Sequence, residues 1–146
     1  MGLFDRMAGK ADVTSQSAYQ VERFLGDGEQ ILAVFRFMRD EIVITDRGIL
    51  AVDVQGLTGV KKEYKYFPLK GIKYVSYESA GTFDLDADIK IGVDGNTETV
   101  NTVTVNKPLS FKIPKAQAAE GERFFRLIKA AVDGKPLAPL TPPSQG

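Results

Sequence analysis

The 146-residue sequence contains no cysteine and no histidine. Without cysteine it has no disulfide, thiolate metal site or thiol nucleophile, and it suits a reducing compartment, so we expect a cytoplasmic protein. Without histidine it lacks the usual acid–base group at neutral pH and the commonest metal ligand. These absences exclude Ser-His-Asp, Cys-His and histidine–zinc mechanisms together. We therefore predict a protein that is not an enzyme and has no cofactor.

Long apolar runs and a net charge are also absent. No run approaches the about 18 apolar residues of a membrane-spanning helix. The N-terminus lacks the basic and apolar regions of a secretion signal. Lysine and arginine total 19, as do aspartate and glutamate, so no global field attracts nucleic acid or an acidic membrane. We predict no nucleic-acid partner, and membrane lipid is disfavoured as a ligand without being ruled out.

The composition fits one domain with short tails. The hydrophobic fraction is 43%, enough for a single core in a chain of this length. We place the domain at residues 15–134, after an N-terminal arm at 1–14 and before a proline-rich tail at 135–146. Because proline favours extended chain, we expect that tail to lie outside the core, either free or on a neighbouring molecule.

Residues 41–54 predict an antiparallel hairpin. Two aliphatic runs flank a compact turn at residues 45–48, where Gly48 is expected to supply a positive φ. The preceding run, residues 31–38, is apolar on both of its alternating faces. A strand of that kind is usually covered on both sides.

Alternation predicts four further strands and one short extended piece. The strands lie at residues 60–67, 72–78, 84–91 and 98–105, and the extended piece lies at 110–113. Between Val100 and Val103 the apolar parity shifts by one place, which we interpret as a β-bulge in a strand that pairs back on its predecessor. The strand region as a whole spans about residues 29–105.

Helices are predicted on both sides of the strands. Residues 17–25 carry an apolar stripe at helical spacing. Residues 115–133 carry a heavier stripe that includes Phe124 and Phe125, and Gly134 is placed to end that helix. The fold class is therefore mainly β with helices (α+β). We expect a seven-stranded antiparallel bent sheet or partly open barrel, capped by the C-terminal helix and preceded by an N-terminal helix.

Several short motifs indicate a particular protein family. They are Asp27-Gly28-Glu29, Arg39-Asp40 with the run 42–47, Gln55-Gly56 with Thr58-Gly59, and residues 80–86 with Ile89-Lys90. Over roughly residues 20–132 the sequence resembles the bacterial pleckstrin-homology (PH) domain family. The resemblance implies a helix-capped PH-like barrel and ring-like homo-oligomers. It implies no established enzyme activity, cofactor or catalytic residue.

Five lysines form the one basic cluster, interleaved with tyrosines. They are Lys61, Lys62, Lys65, Lys70 and Lys73. One interpretation is a surface for anionic lipid, a small anion or an acidic partner; the other is a charged strand edge that deters stray pairing. PH domains that bind phosphoinositides usually carry basic residues around the first strand–strand loop. Here that loop, residues 37–41, has one arginine and two acids.

Three aspartates form the strongest acidic pattern. Asp84, Asp86 and Asp88 alternate with apolar residues, so we place them on the solvent face of one strand, solvated or paired with lysine. A calcium site is the minor alternative, since the residues that follow do not fit an EF-hand loop. We predict no metal site.

The favoured function is a non-catalytic PH-like module that acts as a self-assembling scaffold or protein-interaction domain. The sequence has apolar residues to spare near its N-terminus, and chains of this size commonly bury such an excess against copies of themselves. Candidate oligomer contacts are Leu3, Phe4, Met7, Val21 and Phe24. An unknown protein partner and the subunit number stay open. The alternative function is peripheral binding of anionic lipid or small anions through the lysines of residues 61–73.

Overall fold

A computed structural model describes residues 19–81 and 86–137. The strands in these ranges are β1 (Ile31–Phe37), β2 (Asp40–Thr45), β3 (Gly48–Gln55), β4 (Lys61–Pro68), β5 (Ile72–Glu78), β6 (Asp86–Val93), β7 (Thr97–Val100), β8 (Val103–Asn106) and β9 (Leu109–Pro114). One α-helix, α1 (Ala118–Val132), follows them. Short 3-10 helices lie at Val21–Phe24, Leu69–Gly71 and Lys115–Gln117.

The strands form two stacked sheets and a separate hairpin. The four-stranded sheet has the order β1-β2-β3-β4, the three-stranded sheet has the order β5-β6-β9, and β7 pairs only with β8. All pairs are antiparallel. The two stacked sheets share one apolar core and are not hydrogen-bonded into a closed barrel. The predicted seven-stranded, partly open architecture is confirmed, with the hairpin as an addition.

Helix α1 closes one end of the space between the sheets. Phe124 is fully buried there, and its ring centroid lies 5.0 Å from that of Phe35 and 5.6 Å from that of Phe37. Phe111 of β9 contacts Phe124 edge-on at 5.9 Å. Aromatic pairs at these separations contribute about 0.5–1.5 kcal/mol beyond their buried area. The predicted capping role of the C-terminal helix is therefore confirmed.

The outer face of the four-stranded sheet, the face turned away from the three-stranded sheet, has an apolar cluster of its own. Val34, Val43, Leu50 and Val52 form it, and Val21 from the N-terminal segment packs onto it. The sheet is thus covered on both faces, as its sequence predicts.

The predicted N-terminal helix over residues 17–25 is wrong in the part that the structure describes. Only Val21–Phe24 is helical, and the turn is 3-10. Gln20 has a left-handed φ of 57°, and Leu25 is extended. A right-handed α-helix cannot continue through a left-handed residue. The apolar spacing instead places one residue, Val21, on the sheet.

The bulged strand predicted at residues 98–105 is also wrong. β7 and β8 form their own hairpin, joined by Asn101 and Thr102 with φ values of 49° and 67°. Two successive positive φ values characterise the two-residue turns that suit a twisted hairpin. β9, predicted only as a short extended piece, takes the place beside β6. A parity shift of one place fits a bulge as well as a tight turn, so the pattern was ambiguous.

The turn between β2 and β3 is confirmed, but its glycine has a different role. The Thr45 hydroxyl accepts hydrogen bonds from the backbone N–H groups of Arg47 and Gly48, at 3.1 and 3.0 Å. Gly48 lies outside the positive-φ region. A Cβ at this position would instead collide with the backbone carbonyl of Phe67 and the ring of Tyr66. The glycine is needed for close strand packing.

The C-terminal end of α1 is as predicted. Gly134 has a φ of 72°, and the N–H of Lys135 donates to the carbonyl of Ala130 at 3.0 Å, as in a Schellman cap. Leu137 is half-buried against the core, so the expectation that the tail lies outside the core does not hold at that residue. Residues 138–146 and the arm at 1–14 lie outside the described residues.

Replacing Gly48 tests this packing. We expect Gly48→Ala to destabilise the protein by about 1–3 kcal/mol, because the backbone of β4 must move to admit the methyl group. Gly71→Ala is the matched control, since a Cβ there meets nothing closer than 3.6 Å. Urea unfolding compares the two; equal midpoints for both variants would contradict the close approach.

Candidate functional site

The inner face of the four-stranded sheet, the face toward the three-stranded sheet, is polar at one end. Asp53 of β3 lies directly opposite Glu63 of β4. Asp40 of β2 is the next residue in the register beyond the Glu41–Val52 pair, which places it beside Asp53. Residues directly opposite in a sheet share a face, so three carboxylates form a row across three strands. Like charges in such a row repel one another.

A cleft of about 290 Å³ opens between this row and the three-stranded sheet. We call it the inter-sheet cleft. Its buried lining comes from Ala51, Leu109 and Phe111. Its charged lining residues are Asp40, Asp53, Lys65 and Lys107. Apolar surface with a few converging charges is the usual make-up of a small-molecule site.

The pKa of Asp40 is raised above its ordinary value. Burial is the largest cause, and the neighbouring Asp53 raises the pKa further through its charge and a side-chain hydrogen bond. The backbone N–H of Val54, 3.3 Å from the Asp40 carboxylate, acts in the opposite direction. The Arg39 guanidinium donates to the carbonyls of Val54 and Gly56, at 2.9 and 2.7 Å, so its hydrogen bonds fix the strand end.

Two lysines face the acids with only loose partners. Lys65 Nζ lies 3.3 Å from the side-chain oxygen of Asn96 and 3.7 Å from Glu63. Lys107 Nζ lies 3.6 Å from Glu98. Partly exposed ion pairs at such distances contribute little to stability, so these ammonium groups can change partners at small cost.

Asn96 fixes the position of the segment that carries Lys107. It is nearly fully buried, and its side-chain amide donates to the carbonyl of Lys107 at 3.0 Å. The backbone N–H of Lys107 donates back to the Asn96 carbonyl at 2.8 Å. The same asparagine accepts from Lys65. One buried side chain therefore links the two lysines of the cleft.

The five predicted lysines do not lie on a single face. On β4, Lys62 points to the outer face, and Lys61 and Lys65 point to the inner face, because side chains alternate along a strand. Lys70 lies in the 3-10 helix after β4. Lys73 on β5 lies 3.4 Å from Asp94. The sequence grouped these residues correctly along the chain, but the pleat separates them.

Lys62 belongs to a second, shallower pocket of about 310 Å³. Tyr19, Gln20, Arg23 and Tyr64 also line it, and among the described residues the lining includes no carboxylate. Lys62 Nζ lies 5.5 Å from the Tyr19 ring centroid. The Arg23 guanidinium donates to the Tyr64 hydroxyl at 3.3 Å. Two cations and two phenols thus meet on the outer face of the sheet.

The aspartates of β6 follow the predicted alternation. Asp86 and Asp88 are half-buried on the face opposite the core residues Ala87 and Ile89. Asp88 lies 3.4 Å from Lys112 on the neighbouring strand β9, which is the predicted lysine pairing. Asp84 lies outside the described residues. Within residues 19–81 and 86–137, no three acidic, histidine or cysteine side chains are grouped so that they could hold a metal ion.

Two of the five candidate oligomer contacts fall in the described ranges. Val21 is fully buried in its own chain, so the expectation that it contacts a second copy conflicts with its position. Phe24 is 51% exposed, with its ring 4.7 Å from that of Tyr64. Leu3, Phe4 and Met7 lie outside the described residues.

The β7–β8 hairpin is an exposed surface that the sequence analysis missed. All eight of its residues are exposed. Val100, Val103 and Val105 are 49%, 58% and 39% exposed. The signal was present in residues 97–106, where valine and threonine alternate around a turn, but we interpreted the parity shift as a bulge.

Residues 2–119 match the family model described as "Bacterial PH domain". The chain belongs to the bacterial PH-domain family. This confirms the resemblance predicted from the motifs.

Proteins similar to this bacterial PH domain include a relative from Bacillus subtilis and solved structures from Shewanella. The uncharacterized protein YjqA of Bacillus subtilis (strain 168) is 43% identical over 97 residues, which cover 65% of this chain and 78% of YjqA. A solved pleckstrin homology domain from Shewanella amazonensis SB2B is 29% identical with a TM-score of 0.62, covering 80% of this chain and 96% of that one.

A second solved structure gives the same fold. It is a DUF1696 family protein with a pleckstrin-homology domain from Shewanella loihica PV-4, 29% identical with a TM-score of 0.59. The match covers 86% of this chain and 99% of that one. The PH-like fold is therefore established. Among the helices that the structure describes, none is long and apolar enough to cross a bilayer.

The raised pKa of Asp40 predicts a pH effect on stability. The folded chain holds this proton more tightly than the unfolded chain, so the stability contribution of Asp40 falls as pH rises from below 3.8 through the raised pKa. In the Asp40→Asn variant the side chain does not titrate, so this loss of stability with rising pH does not occur. We expect the free energy of unfolding of the variant, relative to the parent, to increase between about pH 3 and pH 7.

Urea unfolding over that pH range measures the effect. Asp27→Asn is the matched control, because it neutralises one exposed aspartate outside the inter-sheet cleft. If the free energy of unfolding had the same pH dependence in Asp40→Asn and in the control, the raised pKa of Asp40 would be contradicted.

Proposed function

We propose that this bacterial PH domain is a non-catalytic cytoplasmic scaffold that assembles with copies of itself through the β7–β8 hairpin. The observation that supports this most strongly is the exposure of every residue of that hairpin. A lone two-stranded hairpin is marginally stable at best in water. Contact with a second molecule would supply the missing packing.

One face of the hairpin is suited to such a contact. Opposite residues share a face, so Val100 and Val103 lie beside Glu98 and Val105. The other face carries threonines, including the pair Thr99–Thr104. Burying an exposed valine contributes about 1.5 kcal/mol. Three valines together could therefore favour association substantially, whereas the threonine face would gain little.

A second apolar surface offers a place for the valine face to dock. Phe24 and Tyr66 are 51% and 49% exposed on the outer side of the four-stranded sheet, where Phe24 packs on Tyr64. Hairpin-to-sheet contact between successive copies is head-to-tail. Such heterologous contacts close into rings when the rotation allows. We propose a ring-like homo-oligomer on these grounds, as the family resemblance also implies.

The side chains that the sequence lacks support a non-catalytic role. The sequence contains no histidine and no cysteine, so the usual acid–base and thiol groups are missing. The buried carboxylate of Glu41 accepts from Arg36 at 2.9 Å and so has a structural partner. A binding function needs none of the missing groups.

Substitution of the valine face tests the assembly. We expect Val103→Asp to reduce the oligomer to monomer, because a carboxylate would be buried without a partner at the contact. Thr104→Asp is the matched control. Thr104 follows Val103 in β8 and is also exposed, but its side chain lies on the other face of the hairpin. Multi-angle light scattering gives the mass of each. Monomeric parent protein, or equal effects of both substitutions, would contradict the proposal.

Anion binding is the second candidate function, and the outer pocket favours it. Arg23 and Lys62 converge there beside two phenols, and the lining within residues 19–81 and 86–137 contains no carboxylate. The site suits inorganic phosphate or a lipid headgroup, which share this chemistry. Of the five predicted lysines, only Lys62 lines it.

Phosphate titration monitored by NMR tests this alternative. We expect Lys62→Gln to weaken phosphate binding by about threefold or more, because a charge-assisted contact is lost. Lys61→Gln, on the opposite face of the same strand, is the control and should bind like the parent. Co-sedimentation with acidic and neutral vesicles separates lipid from free anion. Absence of phosphate shifts at these residues would remove the candidate.

A further inference from the structure

We propose that the inter-sheet cleft binds a small zwitterion, with its ammonium group at Asp40 and Asp53 and its anionic group at Lys65 and Lys107. The proposal rests on a cavity of about 290 Å³ lined by charges of both signs. It concerns a different surface from the valine face of the hairpin, and the two meet where Lys107 lies 3.6 Å from Glu98 of β7.

The acidic side of the cleft favours a cation. Asp40 and Asp53 lie side by side on the inner face, with Glu63 next in the row. Adjacent carboxylates cannot all ionise cheaply, and either a shared proton or a bound cation relieves the repulsion. Burial and Asp53 already raise the pKa of Asp40. The guanidinium of Arg39 makes its hydrogen bonds to backbone carbonyls, and its charge lowers the pKa of Asp40 by less than burial and Asp53 raise it.

The basic side favours an anion. Lys65 and Lys107 have carboxylate neighbours at 3.7 and 3.6 Å, longer than a good charge-assisted hydrogen bond. Asn96 hydrogen-bonds the Lys65 ammonium group and the Lys107 backbone carbonyl, so a buried residue holds the Lys65 ammonium group and fixes the backbone from which Lys107 extends. A carboxylate or phosphate entering the cleft would meet both.

Size and charge balance together select the ligand class. Two acids and two lysines cancel, so a ligand with a single charge would leave one side of the lining unmatched. At about 30 Å³ per water-sized group, the cleft holds roughly ten non-hydrogen atoms. The buried surfaces of Ala51, Leu109 and Phe111 suit a short methylene chain between the two charges. An ω-amino acid has this chemistry.

The experiment titrates the 146-residue chain with glycine, 4-aminobutanoate and 6-aminohexanoate, followed by amide chemical shifts. Pentylamine and hexanoate are the singly charged controls. We expect shifts centred on residues 51–53 and 107–111. We expect the best zwitterion to bind at least about tenfold more tightly than either control, since each control loses one charged contact.

Variants assign the two ends of the ligand. Asp53→Asn and Lys65→Gln should each weaken binding of the best zwitterion by about tenfold. Lys70→Gln, in the exposed turn after β4, should leave it unchanged. The ligand series on the parent protein decides the question even if a variant fails to fold. No localised shift with any zwitterion, or equal binding of a singly charged control, would overturn the proposal.

Discussion

The structure depends on one constraint: the four-stranded sheet is apolar on both faces and must be covered twice. Its inner face meets the three-stranded sheet and Phe124 of α1. Its outer face is covered where Val21 packs onto the second apolar cluster. Tyr64 adds to that cover through a hydrogen bond to the carbonyl of Tyr19, at 3.3 Å. Residues 19–24 are therefore part of the domain.

The same sheet explains where the molecule stays open. Along its inner face, Ile42 and Ala51 belong to the core, and two residues further along the strands the side chains are Asp40 and Asp53. Carboxylates cannot be buried against a facing sheet without partners, so the two sheets leave a cleft at that end. Phe124 and the aromatic rings around it fill the apolar part of the space between the sheets. The charged part of that space is the inter-sheet cleft, which stays accessible. The inner face of the four-stranded sheet thus changes from apolar to charged along its strands. Its apolar part forms the core, and its charged part lines the inter-sheet cleft.

Much of the fold was predictable because it depends on local periodicity. Alternation located the β2–β3 hairpin and β6, and the heavy stripe of α1 located the capping helix. Prediction failed where one pattern fits two structures: a one-place parity shift fits both a bulge and the Asn101–Thr102 turn. The helix predicted at residues 17–25 was wrong for a similar reason. The apolar spacing there fits a helix, but it equally fits a short turn that buries only Val21.

The candidate sites were harder to predict because they depend on pairing between strands. The Asp40–Asp53–Glu63 row follows from the register of two hairpins, and a register centred on residues 45–48 would already place Asp40 beside Asp53. The contacts of Asn96 with Lys65 and Lys107 could not be derived, since they join segments from different sheets. Grouping lysines along the chain ignored the pleat, which separates Lys62 from Lys61 and Lys65.

The central proposal is that the exposed valines of the β7–β8 hairpin are covered by a second copy of the chain. Amide hydrogen exchange of the hairpin across a dilution series tests this most directly, because exchange reports local opening. We expect slow exchange of the hairpin amides at high protein concentration and fast exchange on dilution, with exchange of the core strands unchanged. Hairpin exchange that is independent of concentration would contradict it.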